Sequence, residues 1–190
     1  MAPIIAPQPA TYGPMFSIIV LTQTDNVHAS PSSEAVARTL AALVPGAISG
    51  VIRDVVLASS EKSADLEHIA DHAGCELVIA GTWIETVQLA LKKAREPKIF
   101  ALQAGFAPES GFYEELSDLG WGARFKTSRL LERPETTLQR FLPFLAPLAG
   151  LAAAKDRLAG AHGSDFRSWA RQLGRMDTMR TRARRVDSIF

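Results

Sequence analysis

Short apolar runs alternate with amphipathic segments along the first half of the chain. Four apolar runs predict buried strands, and they are Ser17 to Leu21, Val51 to Leu57, Glu76 to Ala80 and Lys98 to Gln103. Between these runs, hydrophobic side chains recur every three or four residues, which predicts helices that begin near Ser33, Asp65 and Thr82. The pattern is that of repeated strand-helix-strand units.

Residues with helix-start and helix-stop chemistry mark the ends of these helices. Ser32 and Ser33 can cap the first helix, and Pro45 with Gly46 should end it. Gly74 is a candidate C-cap for the second helix. The alternation predicts an α/β fold with a mostly parallel central sheet and helices on both of its faces.

Ligands of such sheets bind beyond the carboxyl ends of the strands. Here those ends fall at Thr22 to Asp25, Ala58 to Ser60, Gly81 and Gln103 to Phe106. No Gly-x-Ser-x-Gly, Gly-Lys-Ser/Thr phosphate loop or Gly-x-Gly-x-x-Gly motif accompanies them. The pattern therefore argues against a dinucleotide oxidoreductase or a kinase.

Composition narrows the class of protein further. With 190 residues, of which 47% are hydrophobic, the chain is long enough for one well-packed domain. Its formal net charge of +1 argues against wholesale binding of nucleic acid. The one cysteine, Cys75, excludes an internal disulfide, and the proline-broken N-terminal stretch does not resemble a signal peptide. We therefore expect a cytoplasmic protein.

Two later segments invite a membrane interpretation. The apolar stretch Phe141 to Ala154 is too short to span a bilayer and contains prolines, so we expect it to be buried, with insertion into a membrane or a partner as the alternative. Arg167, Arg171 and Arg175 predict a basic stripe on one helix, followed by four more arginines before the C-terminus. These arginines could contact an anionic membrane surface.

Several of these stretches resemble bacterial family 2 glycosyltransferases. They are Ser17 to Asn26, Ala37 to Gly50 and Arg53 to Cys75, and similarity continues at Pro108 to Asp118 and Gly150 to Arg175. The resemblance implies a GT-A-like domain at residues 16–175, with a nucleotide-binding half at 16–107 and an acceptor-side half at 108–175. An extended lead-in (1–15) and a basic tail (176–190) would flank it.

The resemblance also implies where a nucleotide sugar would bind. The family's base-holding aspartate falls on Ser59, and its later aspartate falls on Ala64, with Glu61 and Asp65 nearby. Thr22 and Asp25, after the first strand, and Gln103, after the fourth, complete this group of candidates. The metal-binding Asp-x-Asp motif falls on residues 103–105, Gln-Ala-Gly, with no acid before Glu109.

The absence of the family's aspartates at these positions affects whether a divalent metal can bind. Mn²⁺ or Mg²⁺ needs hard oxygen ligands, so we expect a divalent metal only where acids such as Glu61, Asp65 or Glu109 rebuild the site, and we assign no metal ligand. His68 and His72 share a helix face, but zinc would need further ligands. Without metal, cations must face the diphosphate, and the candidates are Lys62, Arg124, Lys126, Arg129 and Arg133.

On the acceptor side, Asp165 is the position that matches a catalytic acid of the family, where it would act as general base on the acceptor hydroxyl. Ser164 and Asp165 are equally suited to the start of a helix. The resemblance thus predicts a transferase of envelope or exopolysaccharide assembly that uses a nucleotide-sugar donor. The alternatives are an inactive descendant that binds a protein partner and a peripheral protein at the inner face of the membrane.

Overall fold

The computed structural model describes residues 13, 15–23, 31–121, 125–142 and 146–186. The strands in these ranges are β1 (Phe16–Leu21), β2 (Ile52–Ser59), β3 (Glu76–Ile79), β4 (Lys98–Gln103), β5 (Phe106–Pro108), β6 (Ser128–Glu132), β7 (Leu148–Ala154) and β8 (Asp177–Arg185). The helices are α1 (Ser33–Ile48), α2 (Ala64–Ala73), α3 (Trp83–Lys93), α4 (Phe112–Trp121), α5 (Thr137–Phe141), α6 (Lys155–Ala159) and α7 (Phe166–Gln172). Asp25 and Arg124, both candidates from the sequence, lie outside the described residues.

The described strands form one sheet in the order β3-β2-β1-β4-β7-β6-β8-β5. The first four strands in this order are parallel, and so is the β6–β8 pair. β7 runs antiparallel to β4 and β6, and β5 runs antiparallel to β8. The predicted mostly parallel α/β sheet is confirmed.

Helices cover both faces of the sheet, and each covered face holds a core. The first core lies under α1, α2 and α4 and includes Val36, Leu66 and Leu116. The second core lies under α3, α6 and α7 and includes Val87 and Trp169. Every residue of β1 is buried, and its side chains enter the two cores alternately, as expected of a central strand.

The predicted end of the first helix at Pro45 and Gly46 is wrong. α1 continues to Ile48, and the N–H of Ser49 still bonds to the carbonyl of Pro45 at 2.9 Å. Gly46 is buried where the ring of Tyr113 and the tip of Ile52 come so close that a Cβ atom would not fit. Gly46 therefore permits close packing and does not end the helix.

The apolar stretch 141–154 divides into two parts with different surroundings. β7 pairs with β4 and β6 and is buried, which confirms the burial prediction for residues 148–154. Phe141, at the end of α5, is 80% exposed, so burial is wrong for that residue. The difference arises because only β7 enters the sheet.

The C-terminal arginines lie mainly in the sheet. Residues 177–185, interpreted from the sequence as part of a basic tail, form β8, which pairs with β5 and β6. α7 ends at Gln172, so Arg175 lies beyond it, and the predicted three-arginine stripe on one helix is wrong. Met179 and Ala183 of β8 are buried in the first core.

Candidate functional site

The carboxyl ends of the parallel strands meet at one edge of the sheet, which we call the carboxyl edge. β1, β2, β3, β4, β6 and β8 all end there, and the antiparallel β7 begins there. The amide of Gln23, after β1, donates a hydrogen bond to Ser60 Oγ, after β2. The N–H of Ala104, after β4, donates to the carbonyl of Leu21 at 2.8 Å. Thr22, Ser59 and Gln103 thus lie at the ends of the adjacent strands β1, β2 and β4.

Ser59, where the resemblance would place the base-holding aspartate, uses its side chain within its own turn. It is 2% exposed. Its Oγ donates to the carbonyl of Glu61 at 2.8 Å and accepts from the N–H of Glu61 at 3.1 Å. The hydroxyl therefore holds the loop that leads to α2, and it offers no negative charge.

The two acids near Ser59, which are Asp65 and Glu61, lie in different surroundings. Asp65, in the first turn of α2, accepts a hydrogen bond from Ser33 Oγ at 3.3 Å and so links the starts of α1 and α2. Glu61 is exposed in the preceding loop. Lys62 forms an exposed ion pair with Glu67 at 3.4 Å. None of these contacts gathers carboxylates around one point.

The turn after β4 is where the resemblance would place the Asp-x-Asp motif, and it holds Gln103, Ala104 and Gly105. The amide of Gln103 donates to the carbonyl of Leu148 at 3.0 Å. Gly105 has a φ of 89°, which suits glycine, and its N–H donates to Thr39 Oγ1 at 3.0 Å. Glu109, the next acid, pairs with Arg133 at 3.4 Å.

These residues do not fit a divalent metal. Such an ion needs several carboxylate oxygens directed at one point, and the turn supplies an amide that is already bonded to the backbone. Within the described ranges, no three or more His, Cys, Asp or Glu side chains are grouped so that they could hold a metal ion. Rebuilding of the site by Glu61, Asp65 or Glu109 is not supported by their positions.

A charged group beside this turn was missed by the sequence analysis. Glu132, at the end of β6, is only 4% exposed and accepts from Arg185 Nε at 2.5 Å. The Arg185 guanidinium also lies 5.3 Å from the centroid of the Phe106 ring, in a cation–π geometry. The interpretation of residues 176–190 as a tail did not predict this pair, because the pair forms only when β8 lies beside β6.

The end of β8 connects this pair to the turn after β4. The N–H of Val186 donates to the carbonyl of Gly105 at 2.8 Å. Arg38 of α1 donates from Nη1 to the carbonyl of Val186 at 3.3 Å and pairs with Glu34 at 2.6 Å. The guanidinium groups of Arg38 and Arg185 therefore lie beside the turn after β4.

Asp165 is the N-cap of α7. Its Oδ1 accepts from the N–H of Ser168 at 2.7 Å, and Ser168 Oγ accepts in return from the N–H of Asp165 at 3.1 Å. The backbone hydrogen bond from Ser168, opposed by partial burial and aided by Ser164, lowers the pKa of the Asp165 carboxyl below its usual value. A lower pKa makes this carboxylate a weaker proton acceptor, so its predicted role as general base stays a prediction.

A separate concavity lies between α1 and α2, away from the strand ends. Its volume is about 550 Å³, and its lining is mainly apolar, with Leu40, Val44 and Ile69 among the residues. His68 and His72 also line it, with their rings 4.1 Å apart in an edge-to-face contact. It has few polar groups to orient a nucleotide, so the carboxyl edge remains the candidate site.

Comparison with solved structures identifies the fold. Glucosyl-3-phosphoglycerate synthase from Mycobacterium tuberculosis, solved with Mn²⁺, UDP-glucose and phosphoglyceric acid, matches with a TM-score of 0.60 and 14% identity over 85% of this chain and 64% of that chain. The same enzyme with phosphoglyceric acid alone matches with a TM-score of 0.56 and 14% identity over 77% of this chain and 59% of that chain.

A second enzyme shows the same likeness. Mannosyl-3-phosphoglycerate synthase from Rubrobacter xylanophilus matches with a TM-score of 0.54 and 11% identity over 76% of this chain and 55% of that chain. The chain spans about three fifths of the length of these proteins. No model of a known protein family and no curated protein matches it. The fold is that of the GT-A glycosyltransferases.

Proposed function

We propose that this protein binds a nucleotide sugar at the carboxyl edge and acts as a glycosyltransferase of the family 2 type. The observation that carries the proposal is the placement of polar side chains on adjacent strand ends of a GT-A fold, with Thr22, Ser59 and Gln103 at β1, β2 and β4. Glucosyl-3-phosphoglycerate synthase from Mycobacterium tuberculosis was solved with UDP-glucose and with UDP, which supports the same class of donor.

The proposal does not require a metal. A diphosphate leaving group can be stabilised by guanidinium groups. Arg38 and Arg185 lie beside the turn after β4, and Arg38 is the more exposed of the two. Arg38 is itself paired with Glu34, as Lys62 and Arg133 are with Glu67 and Glu109. We assign the phosphate-facing role to Arg38 because it lies beside the turn after β4 and is the more exposed of the two arginines there.

The resemblance to bacterial transferases suggests the setting of the reaction. We infer a cytoplasmic protein that acts in envelope or exopolysaccharide assembly, at the inner face of the membrane. Asp165 would be the base on the acceptor hydroxyl if the transfer inverts the anomeric centre. Its capping bonds would have to break, at least in part, for that role.

A non-catalytic binding subunit is the second candidate, and one observation favours it. The side chains at the family's donor-binding positions, Ser59 and Gln103, are already bonded within the protein. A protein that kept the fold but used it to hold a protein partner would have no need of carboxylates there. This candidate predicts that neither UDP nor GDP binds.

Calorimetric titration of the protein with UDP and with GDP, each with and without Mn²⁺, tests the proposal. We expect binding of one nucleotide that Mn²⁺ does not strengthen, and we expect Arg38→Gln to weaken it by about tenfold, since a charged hydrogen bond contributes about 1.5–3 kcal/mol. Arg53→Gln is the matched control, because Arg53 is exposed at the start of β2, at the opposite edge.

The outcomes separate the two candidates. Absence of binding by either nucleotide would overturn the transferase proposal and favour the binding subunit. Binding that Arg53→Gln weakens as much as Arg38→Gln would place the ligand away from the carboxyl edge. Binding that needs Mn²⁺ would overturn the assignment of Arg38 as the phosphate-facing group.

A further inference from the structure

The short helix α5 and Leu142, the residue that follows it, present three large apolar side chains to solvent. Leu138 is 61% exposed, Phe141 is 80% exposed and Leu142 is 38% exposed. Residues three and four apart in a helix share a face, so the three side chains project together. We call them the apolar tip. Exposed Phe and Leu side chains clustered in this way mark an interaction surface.

The helix that carries the apolar tip is well defined. Thr136 Oγ1 accepts from the N–H of Gln139 at 3.2 Å, and the Gln139 side chain accepts from the N–H of Thr136 at 3.3 Å. This reciprocal capping box fixes the start of the helix. α5 connects the end of β6 to the start of β7, so the apolar tip lies at the carboxyl edge, beside the candidate site.

A group of arginines from β6 and β8 lies on one face of the sheet, and the residue Arg133 connects this group to α5 along the chain. Ala183 of β8 is fully buried in the first core, and successive side chains of a strand alternate between faces. Arg182 and Arg184 therefore lie on the opposite face, together with Arg129, whose neighbour Leu130 is also in the first core. Arg133, which follows β6, is bonded through its N–H to the carbonyl of Ala183 at 2.7 Å.

We call Arg129, Arg133, Arg182 and Arg184 the basic face. In the described part of the chain, Arg133 pairs with Glu109, whereas Arg129 donates to Thr178 Oγ1 and Arg182 donates to backbone carbonyls. Acidic side chains thus neutralise little of this surface. The basic face therefore favours an anionic partner, and the adjoining apolar tip favours an apolar one.

We propose that the protein docks on a bilayer that contains anionic lipid, with the apolar tip inserted among the acyl chains and the basic face against the headgroups. Amphipathic surfaces of this composition bind at the membrane interface through buried apolar area and attraction to anionic lipid. None of the helices within the described ranges has the length and hydrophobicity needed to span a bilayer. The mode of contact is therefore interfacial.

Two other occupants fit the surface less well. Nucleic acid would engage the basic face but would leave the Leu and Phe side chains of the apolar tip in water. A second copy related by a two-fold axis would bring one basic face against another, which is unfavourable for like charges. Docking of the carboxyl edge on a membrane would place the candidate site at the lipid surface, although the docking itself does not depend on transferase activity.

Co-sedimentation with vesicles tests the proposal without any sugar nucleotide. The probes are vesicles of phosphatidylcholine alone and of phosphatidylcholine with phosphatidylglycerol, at low and at high salt. We expect the protein to sediment with the anionic vesicles at low salt and not with the neutral ones. The double variant Leu138→Ser with Phe141→Ser should weaken binding by tenfold or more, because it removes two apolar side chains that would be buried among the acyl chains.

Two further variants complete the design. Arg182→Gln with Arg184→Gln should weaken binding to anionic vesicles by roughly thirtyfold, because each of the two basic residues near an anionic surface contributes about 1 kcal/mol. Ile48→Ser is the matched control, because Ile48 is 82% exposed but lies at the end of α1, at the opposite edge of the sheet. We expect it to bind like the natural sequence.

Four results would overturn the proposal. One is absence of sedimentation with anionic vesicles, and another is equal loss of binding in Ile48→Ser. A third is full binding by the Leu138→Ser, Phe141→Ser variant, and a fourth is a dimer, seen by light scattering, that this variant alone dissociates. Nucleotide titration is independent of each of these results, so failure of membrane docking is distinguishable from failure of the proposed function.

Discussion

Glu115 shows how a single side chain can hold an irregular strand. Arg129 of β6 pairs with Thr178 of β8, and Leu131 pairs with Arg182, so β8 uses more residues than β6 between these two pairs. The additional residues of β8 have no partner in β6. Glu115, in the first turn of α4, accepts from the N–H groups of Arg180 and Thr181 at 2.7 and 2.9 Å and from Thr181 Oγ1 at 2.7 Å. Without this carboxylate, these backbone donors would lack a protein partner.

The ionisation of Glu115 couples this arrangement to pH. Burial alone would raise the pKa of the Glu115 carboxyl, but the three hydrogen bonds and the charge of Arg180 lower it below its usual value. A group whose pKa is lower in the folded state contributes stability above its unfolded-state pKa of about 4.3. That stability is lost as the pH falls through the folded-state pKa.

We expect Glu115→Gln to lower the free energy of unfolding by about 1–2 kcal/mol near pH 7, because a charged acceptor is replaced by a neutral one. The difference from the natural sequence should shrink as the pH falls below about 4. Urea denaturation at a series of pH values measures it. Glu114→Gln, at an exposed position in the same helical turn, is the control. A difference that does not change with pH would contradict the account.

Among the elements, β8 is where sequence and structure differ most. Its arginines led to the prediction of a solvated tail, yet Met179 and Ala183 are buried and the strand separates β6 from β5. β8 also supplies Arg185, the partner of Glu132, at the carboxyl edge. The strand therefore completes both the first core and the candidate site.

Two neighbouring substitutions distinguish a strand from a tail. We expect Ala183→Asp to lower the free energy of unfolding by about 3 kcal/mol or more, because it places an unpaired charge in the first core. Arg184→Asp, at the next residue, is exposed and should change it by about 0.5 kcal/mol at most. Chemical denaturation of both variants gives the comparison. Equal tolerance of the two substitutions would show that β8 is not packed.

For the whole molecule, the order of the strands sets the distribution of stability. β1 and β4 lie inside the sheet with a core on each face, whereas β3 and β5 are the edge strands. Edge strands have backbone groups without a ladder partner, and they contribute fewer buried contacts. The interior strands should therefore open last.

Hydrogen exchange followed by mass spectrometry can measure this gradient. We expect peptides that contain β1 and β4 to be the most protected in the protein, with exchange close to that of global unfolding. Peptides from β3 and β5 should exchange faster. Protection of β5 equal to that of β1 in the protein alone would contradict this gradient.

The predictable part of the fold is the part built from local signals. β1 to β4 and the helices between them were found from hydrophobic periodicity and helix caps, because each unit spans a short stretch of chain. β7, with the sequence LAGLAAA, carries small side chains and no clear strand signal. Its pairing with β4 and β6 depends on residues distant in sequence, and so it was predicted only as buried.

The same distinction applies to the candidate site. The sequence located Thr22, Ser59 and Gln103 because strand ends can be read from apolar runs, and it recorded which acids are missing from the resemblance. It missed the pair of Glu132 and Arg185, whose positions are 53 residues apart along the chain. No local pattern marks such a pair.

By itself, the sequence determined the parallel half of the sheet, since its strands and helices depend on residue type and short-range order. Only the tertiary structure decided that the arginines of β8 enter the sheet, that Asp165 caps α7 and that the apolar tip faces solvent. The physical reason is that pairing between distant strands determines which side chains are buried, and burial determines which charges and apolar groups remain available to a partner.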